Sequence, residues 1–319
     1  MSSSLKTALG NWMLPIAIVA GIIAYFAFVS IPLFDGTHQA VGKIIAVVQP
    51  ALIFTMLFLT FLSIGPHDLH LRRWHLWHII IQLGLFALIA GVLVWAGDST
   101  WRIVLESAML CLLCPTATAA AVVTRKLDGN PADITTYTII INIAIALSAP
   151  VLLPVAHPHP ELDFLPTFRL IIYKVFPLLI FPLLTAWAIR RFAPAVATRL
   201  RRYPDLAFYL WAVSLSIAIA TTTKAIMHSN VPVSILLAIG GVSLVCCLMQ
   251  FFLGKIIGRR YGEHIEGGQA LGQKNTVFII WLGYTFLSPV TAVAGGMYSI
   301  WHNIFNSYQL YKKRKENNA

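Results

Sequence analysis

The chain has 319 residues, of which 58% are hydrophobic and only 11% are charged, and its mean hydropathy is +0.77. A soluble globular protein carries about 25% charged residues, because water must wet its surface. The composition therefore excludes a soluble enzyme, a disordered protein and a nucleic-acid binder. The net charge of +11 comes from short basic clusters between long apolar runs, and this pattern is typical of a polytopic membrane protein.

The apolar runs predict an all-α membrane protein with ten spanning helices, because a helix needs about 20 apolar residues to cross a hydrocarbon core about 30 Å thick. No link is rich enough in Gly, Ser or Pro to separate two domains, so residues 1–319 are expected to form one membrane domain. The predicted segments are, in chain order, residues 12–32, 44–65, 76–97, 103–123, 134–156, 168–189, 206–227, 232–257, 268–287 and 290–311.

The positive charges between these segments predict the orientation of the chain. One set of links, together with both tails, carries sixteen Lys and Arg residues, whereas the other set carries three. The side with more positive charge is the cytoplasmic side. Both termini are therefore expected in the cytoplasm, in a multi-pass protein of the plasma (inner) membrane. The sixteen are Lys6, Arg72, Arg73, Arg125, Lys126, Arg190, Arg191, Arg199, Arg201, Arg202, Arg259, Arg260, Lys312, Lys313, Arg314 and Lys315, and the three are Lys43, Arg102 and Arg169.

Paired features recur along the chain at a nearly constant offset, which indicates an internal repeat. Pro15 and Pro177 lie 162 residues apart, and Asn142 and Asn303 lie 161 apart. The polar breaks of the fourth and ninth segments lie about 159 apart. Five helices per unit is an odd number, so the second unit must enter the membrane from the opposite side, as in many secondary transporters. The two inverted repeats cover about 12–156 and about 168–311.

The fourth and ninth segments carry polar breaks near the middle of the membrane. The fourth contains Pro115, flanked by Thr116 and Thr118, and the ninth contains the run Gln273-Lys274-Asn275. A proline removes one backbone hydrogen bond and frees carbonyls that hydrocarbon does not satisfy. Irregular backbone at this depth is tolerated where it is buried in protein or lines a wet cavity. We expect both segments to unwind where they meet.

A substrate cavity is predicted at this crossing, lined by Asn275, His302 and Asn303 together with Thr116 and Thr118. The half-helix N-termini there would present free amides and positive dipole ends, which suit a carboxylate or a sulfonate. The Asn and His side chains add hydrogen-bond donors, and a neutral His302 could accept a proton. The alternative is that His302 and Asn303 only cross-link helices.

Three motifs support a family resemblance that spans roughly residues 45 to 307. They are the run Cys114-Pro-Thr-Ala-Thr-Ala-Ala-Ala121 followed by Gly129-Asn130, the run Ala270-Leu-Gly-Gln-Lys-Asn275, and the run Ser299-Ile-Trp-His-Asn-Ile304. A link containing Pro66, Asp68 and Arg72-Arg73 precedes a helix that bears Gln82. These features resemble the bile acid:sodium symporter family, and its bacterial ten-helix members in particular. The resemblance implies a panel subdomain packed on a core subdomain, interleaved in sequence, with unwound fourth and ninth helices crossing in the core.

The resemblance also implies two sodium sites, and this chain departs from both. At the first, the family's Ser-Asn pair is replaced by Ala120 and Ala121, and its ninth-helix Glu is replaced by Ala270; Thr138 is the one ligand position retained. Methyl groups offer no oxygen to a cation. No cofactor is predicted, and the sodium ligands are largely replaced.

At the second sodium site the third-helix glutamine is retained as Gln82, but the ninth-helix glutamine position is Lys274. We expect the ammonium of Lys274 to take the place of a bound sodium ion, with Gln82 and carbonyls near Gly272 as its oxygen partners. Two alternatives are open. Lys274 could extend to cytoplasmic water, or a register shift of one or two residues could put Gln269 or Gln273 at a ligand position.

The function that follows is a secondary active transporter of a small organic anion that works by alternating access. Sodium coupling is expected to be lost, or replaced by proton coupling or uniport. The alternatives are an oxyanion efflux carrier of the arsenite type, with which Cys114 is compatible, and a sodium-coupled symporter with the shifted register. The chain is not expected to be an enzyme, because it lacks His-Glu-x-x-His, Gly-x-Ser-Gly and a pair of membrane aspartates.

Overall fold

The computed structural model describes residues 3–31, 36–65, 67, 69–97, 99–158, 161–203 and 205–317; Pro66 and Asp68 lie outside these ranges. Within them the regular structure is helical, apart from one isolated β-bridge. The helices are α1 (Ser3–Ser30), α2 (His38–Leu62), α3 (Arg73–Trp95), α4 (Arg102–Leu113), α5 (Ala120–Lys126), α6 (Pro131–Ala156), α7 (Phe164–Phe192), α8 (Pro194–Arg201), α9 (Leu206–Met227), α10 (Val233–Arg259), α11 (His264–Gly272), α12 (Thr276–Phe286) and α13 (Val293–Asn317).

Six of these helices, namely α2, α3, α6, α7, α9 and α10, are long and apolar enough to cross a membrane, so the chain is a multi-pass helical membrane protein. The other four predicted segments also fall on helices. The first and the tenth correspond to α1 and α13, whereas the fourth and the ninth each fall on two short helices, α4 with α5 and α11 with α12. The sequence did not predict α8, a helix of eight residues in the link after α7.

The two interrupted segments break where their sequences demand it. Helix α4 ends at Leu113, and Cys114 takes an extended conformation (φ −60°, ψ 134°), because the proline at 115 disfavours helical backbone in the residue before it. In the other segment Gln273 is extended (φ −92°, ψ 97°). Asn275 then starts α12, because its side-chain oxygen accepts a hydrogen bond from Phe278 N at 3.2 Å and so caps the new helix.

Helices α10 and α11 approach each other closely enough to require glycine on both sides. A Cβ added to Gly254 would lie 2.2 Å from the carbonyl oxygen of Gly267, and a Cβ added to Gly267 would lie 2.4 Å from that of Gly254. Neither backbone leaves room for a side chain, as in other helix pairs joined by small residues. This contact fixes the first half of the ninth segment against α10 and so positions the break at residues 273–275.

The helices form two groups that contact each other mainly where α6 packs on α7, and an apolar core runs through both. In one group α1 packs on α9, and α2 packs on α7 and α9; in the other, α3 packs on α4 and α6, and α10 packs on α4, α11 and α13. The core extends from Phe61 on α2 to Phe278 on α12, both fully buried. The broken segments belong to the second group, and their breaks face the first.

Candidate functional site

The two breaks meet and pair through their backbones. Ala117 N donates to the carbonyl of Gln273 at 2.8 Å, and Asn275 N donates to the carbonyl of Pro115 at 2.9 Å. These bonds make the isolated antiparallel bridge between Thr116 and Lys274. Each broken helix thereby satisfies polar groups of the other, which hydrocarbon would leave unpaired. The expected crossing of two unwound segments is present in the structure.

Side chains from neighbouring helices bind the carbonyls that the breaks set free. Gln82 Nε2 on α3 donates to the carbonyls of Cys114 at 2.7 Å and Leu113 at 3.3 Å. The Thr116 hydroxyl donates to the carbonyl of Ala270 at 2.6 Å. The end of α4 and the end of α11 are therefore held by buried polar contacts, and each break has a defined shape.

A cavity of about 880 Å³ extends from this crossing, between the two groups of helices, to the links before α6 and α9. Its apolar walls come from α2 and α9 and include Met56, Phe208 and Trp211. The links at its mouth belong to the set that carries the sixteen positive charges counted in the sequence. The charged residues there are Arg125, Lys126, Arg201 and Asp205. A cavity of this size accommodates a small organic molecule, and its mouth has an excess of positive charge.

Six of the nine predicted site residues line this cavity, namely Thr118, Gln273, Lys274, Asn275, His302 and Asn303. The other three lie away from its wall and are buried. Thr116 and Gln82 hold the broken helices together, as described above. Thr138 donates its hydroxyl to the carbonyl of Ile134 at 2.9 Å within its own helix. These three contribute to the framework of the crossing.

Three of the buried side chains that line the cavity have polar atoms without a hydrogen-bond partner in the described part of the chain. They are the Gln273 side-chain oxygen, the Lys274 ammonium nitrogen and His302 Nδ1. A buried polar atom without a partner costs free energy, and most such atoms in proteins are paired. These three atoms are buried just behind the cavity surface, so they make this wall the polar side of the cavity.

Lys274 is fully buried, with 0% of its surface exposed. The alternative in which it extends to cytoplasmic water is therefore wrong. The expected cage of oxygens is also wrong, because neither oxygen is a hydrogen-bond partner of the ammonium. The Gln82 oxygen accepts from the Tyr137 hydroxyl at 3.3 Å, and the Gly272 carbonyl accepts from the Tyr298 hydroxyl at 2.9 Å. The ammonium group is thus left without an oxygen partner among the described residues.

Asn275 presents one end of its amide to the cavity. Its oxygen is committed to the cap of α12, at 3.2 Å from Phe278 N, so the NH₂ group is the part left for a ligand. On α13, Asn303 Nδ2 donates to the carbonyl of Ser299 at 2.7 Å within the same helix, and the His302 ring meets the Tyr298 ring edge-on at 5.7 Å. Within the described residues, neither His302 nor Asn303 forms a side-chain hydrogen bond to another helix. The alternative that these two residues cross-link helices in this way is therefore not observed.

An ion pair on α4 also has partners from distant parts of the chain. Arg102 Nε lies 3.3 Å from a carboxylate oxygen of Glu106, one turn away on the same helix. The buried carboxylate also contacts His157 Nδ1 at 2.8 Å and accepts from the Thr291 hydroxyl at 3.3 Å. These partners lie 51 and 185 residues away along the chain, so no local sequence signal indicated them.

A second polar network, at the start of α6 and α11, was also missed. Arg72 Nε lies 3.2 Å from the buried carboxylate of Asp133, which also accepts from Asn130 Nδ2 at 3.2 Å. The Asn130 amide donates to the carboxylate of Glu266. In the link before α11, burial raises the pKa of Glu263 above its usual value, and the neighbouring Glu266 carboxylate adds to this. The network ties the ends of α3, α6 and α11 together near the cavity mouth.

A comparison of the sequence with models of known protein families and with curated protein sequences finds no match.

Proposed function

We propose that the protein is a ten-helix secondary transporter that carries a small organic anion across the plasma (inner) membrane by alternating access. Two observations support ten spans. Every predicted segment falls on one helix or on two half-helices, and the bias of sixteen positive charges against three holds only with that number of crossings. Both termini then lie in the cytoplasm, and the 880 Å³ cavity opens to that side.

The packing of the helices supports two inverted repeats. With the offset of about 161 residues between Asn142 and Asn303, α1 corresponds to α7, α2 to α9, α3 to α10, and α6 to α13. Several contacts follow this correspondence, because α1 packs on α9 as α7 packs on α2, and α3 packs on α6 as α10 packs on α13; the packing of α6 on α7 has no comparable counterpart between α13 and α1 in the described residues. The group of α1, α2, α7 and α9 is then the panel subdomain, and the remaining membrane helices form the core subdomain.

The convergence of unpaired polar atoms on the cavity is the observation that carries the proposal. The Asn275 NH₂ is a donor at the cavity surface, the Lys274 ammonium adds a buried positive charge behind it, and the mouth adds three basic side chains against one acid. Donors and positive charge suit a carboxylate or a sulfonate. The apolar walls on α2 and α9 would contact the hydrocarbon part of the same molecule.

Sodium-independent transport is the mode that the site favours. The residues that take the ligand positions of the related symporters include Ala120 and Ala270, which are fully buried and offer no side-chain oxygen. Lys274 places a positive charge at the crossing, and that charge repels a cation. We therefore propose that Lys274 serves as a built-in cation, in a chain that resembles the bile acid:sodium symporter family. The NH₃⁺ group either stays charged, giving uniport, or releases its proton, giving proton coupling.

No observation favours the oxyanion carrier of the arsenite type. Such a carrier needs a thiol that the substrate can reach. The thiol of Cys114 is fully buried and contacts the carbonyl oxygen of Asn275 at 3.0 Å, and Cys114 is not among the described residues that line the cavity.

The test is uptake by purified protein in proteoliposomes. Carboxylates and sulfonates with an apolar body are screened, and the sodium and pH gradients are varied independently. We expect saturable uptake of at least one such anion, unchanged when choline replaces sodium. Flux that rises linearly with concentration without saturation would indicate a channel. Strict sodium dependence of the wild type would instead support the shifted register, with Gln269 or Gln273 as a ligand, and would overturn the proposed role of Lys274.

A further inference from the structure

The junction of α7 and α8 forms an apolar groove at the end of a membrane helix. Helix α7 ends at Phe192, Ala193 leaves the helical conformation (φ −136°, ψ 60°), and Pro194 starts α8 in a new direction. Just before the bend, the last turns of α7 carry a shallow groove of about 420 Å³ on the outer surface. Its lining consists of Leu184, Thr185, Ala188, Ile189, Phe192 and Ala193.

Exposed positive charge lies at the groove and on the helix that follows it. The Arg191 guanidinium lies over the Phe192 ring, 5.9 Å from its centre, so it stands at the groove wall. Arg199 and Arg202 are exposed on and beside α8, and within the described part of the chain none of these three arginines forms an ion pair. Residues 164–204 contain no Asp or Glu, and Asp205 is the first acidic residue after α8.

Helix α8 presents this charge on an outward face. Ala197 and Leu200 pack against the protein core, whereas 83% of Phe192 and 48% of Val196 are exposed. Arg199 lies one turn after Val196 on the exposed side. Apolar and basic side chains that share one outward surface are typical of a segment at the boundary between acyl chains and headgroups.

We infer that the α7–α8 junction binds one anionic phospholipid of the cytoplasmic leaflet, with an acyl chain in the groove and the headgroup phosphate at Arg191 and Arg199. A second copy of this chain is the less suitable occupant. In a symmetric dimer the same basic surface would face itself, and like charges would repel each other. A phospholipid supplies both complements at once, an apolar chain and a negative phosphate. This site is separate from the substrate cavity; it rests on the orientation given under the proposed function, but not on the transported substrate.

The test is lipid retention measured by native mass spectrometry. Purified protein is equilibrated with equal amounts of phosphatidylglycerol and phosphatidylcholine that have the same acyl chains. We expect the wild type to retain phosphatidylglycerol preferentially, and R191Q/R199Q to lose about tenfold or more of that preference. The matched control is R259Q/R260Q, a pair of exposed arginines at the end of α10 on the same predicted side. It should retain the preference.

The groove has its own matched pair of variants. Ala188→Trp fills the groove and should displace the lipid, whereas Ala24→Trp, at an exposed position on α1, should not. Gel filtration and thermal unfolding confirm that both variants fold. The inference is overturned if the wild type retains the two lipids equally, if R259Q/R260Q loses as much as R191Q/R199Q, or if Ala188→Trp leaves retention unchanged. A dimer that excludes lipid from the groove would also overturn it.

Discussion

The hydroxyl of Tyr298 donates to the carbonyl of Gly272 at 2.9 Å, and this bond joins α13 to the last residue of α11. The same hydroxyl oxygen accepts from Gln250 Nε2 at 3.1 Å. Tyr298 and Gly272 are both buried, so water does not replace either bond. The shape of the ninth-segment break therefore depends on a side chain 26 residues away.

Tyr298→Phe is expected to lower the free energy of unfolding by about 1–3 kcal/mol, because it leaves a buried carbonyl unpaired. The effect is measured as the shift of the thermal unfolding midpoint of the purified protein. Tyr308→Phe removes a hydroxyl from a tyrosine on the same helix that is 61% exposed, and it should change little. Equal midpoints for both variants would show that the Tyr298 contact does not stabilise the break.

Asn275→Ser is expected to raise the KM for the transported anion by about tenfold or more, at nearly unchanged stability. Serine still caps α12, because it is among the favoured N-cap residues, but it lacks the NH₂ group that faces the cavity. The loss of one charge-assisted hydrogen bond is worth about 1.5–3 kcal/mol. Uptake kinetics in proteoliposomes provide the measurement. Asn275→Ala, which loses the cap as well, should also unfold at a lower temperature; wild-type kinetics in both variants would remove Asn275 from the site.

Lys274→Met is expected to reduce transport at least about tenfold while leaving the thermal unfolding midpoint unchanged or higher. Methionine fills a similar volume, and it removes a buried ammonium group that has no partner in the described structure. If the Lys274 ammonium lowers stability and is nevertheless required for transport, its role is functional rather than structural. The control is Lys255→Met on α10, away from the cavity lining. Normal transport by Lys274→Met would contradict the proposed role of the charge.

The link between α7 and α9 is expected to be cytoplasmic. A cysteine at Thr198, which is exposed on α8, should react with a membrane-impermeant maleimide only after the cells are opened. Ser99→Cys, in the exposed link between α3 and α4, should react in intact cells. The four native cysteines are buried, so background labelling should be low. Labelling of Thr198→Cys from outside would contradict the ten-helix topology.

The sequence alone determined the class of protein, the positions of the helices and the two breaks. These features depend on local chemistry. Length and apolar composition define a spanning helix, Pro115 disrupts the helix before it, and a run such as Gln273-Lys274-Asn275 does not fit a lipid-facing helix. Because local chemistry fixes where the breaks lie, six of the nine predicted site residues line the cavity that extends from them.

The tertiary structure decided what each polar side chain contacts. Glu106 pairs with Arg102 one turn away on its own helix, but His157 and Thr291 contact it only because distant helices pack there. Gln82 was expected beside Lys274, whereas its amide binds the carbonyls of the fourth segment and the hydroxyl of Tyr137. Hydrogen bonds are directional and short, so the partner of a buried group depends on how distant helices pack, which composition and spacing do not specify.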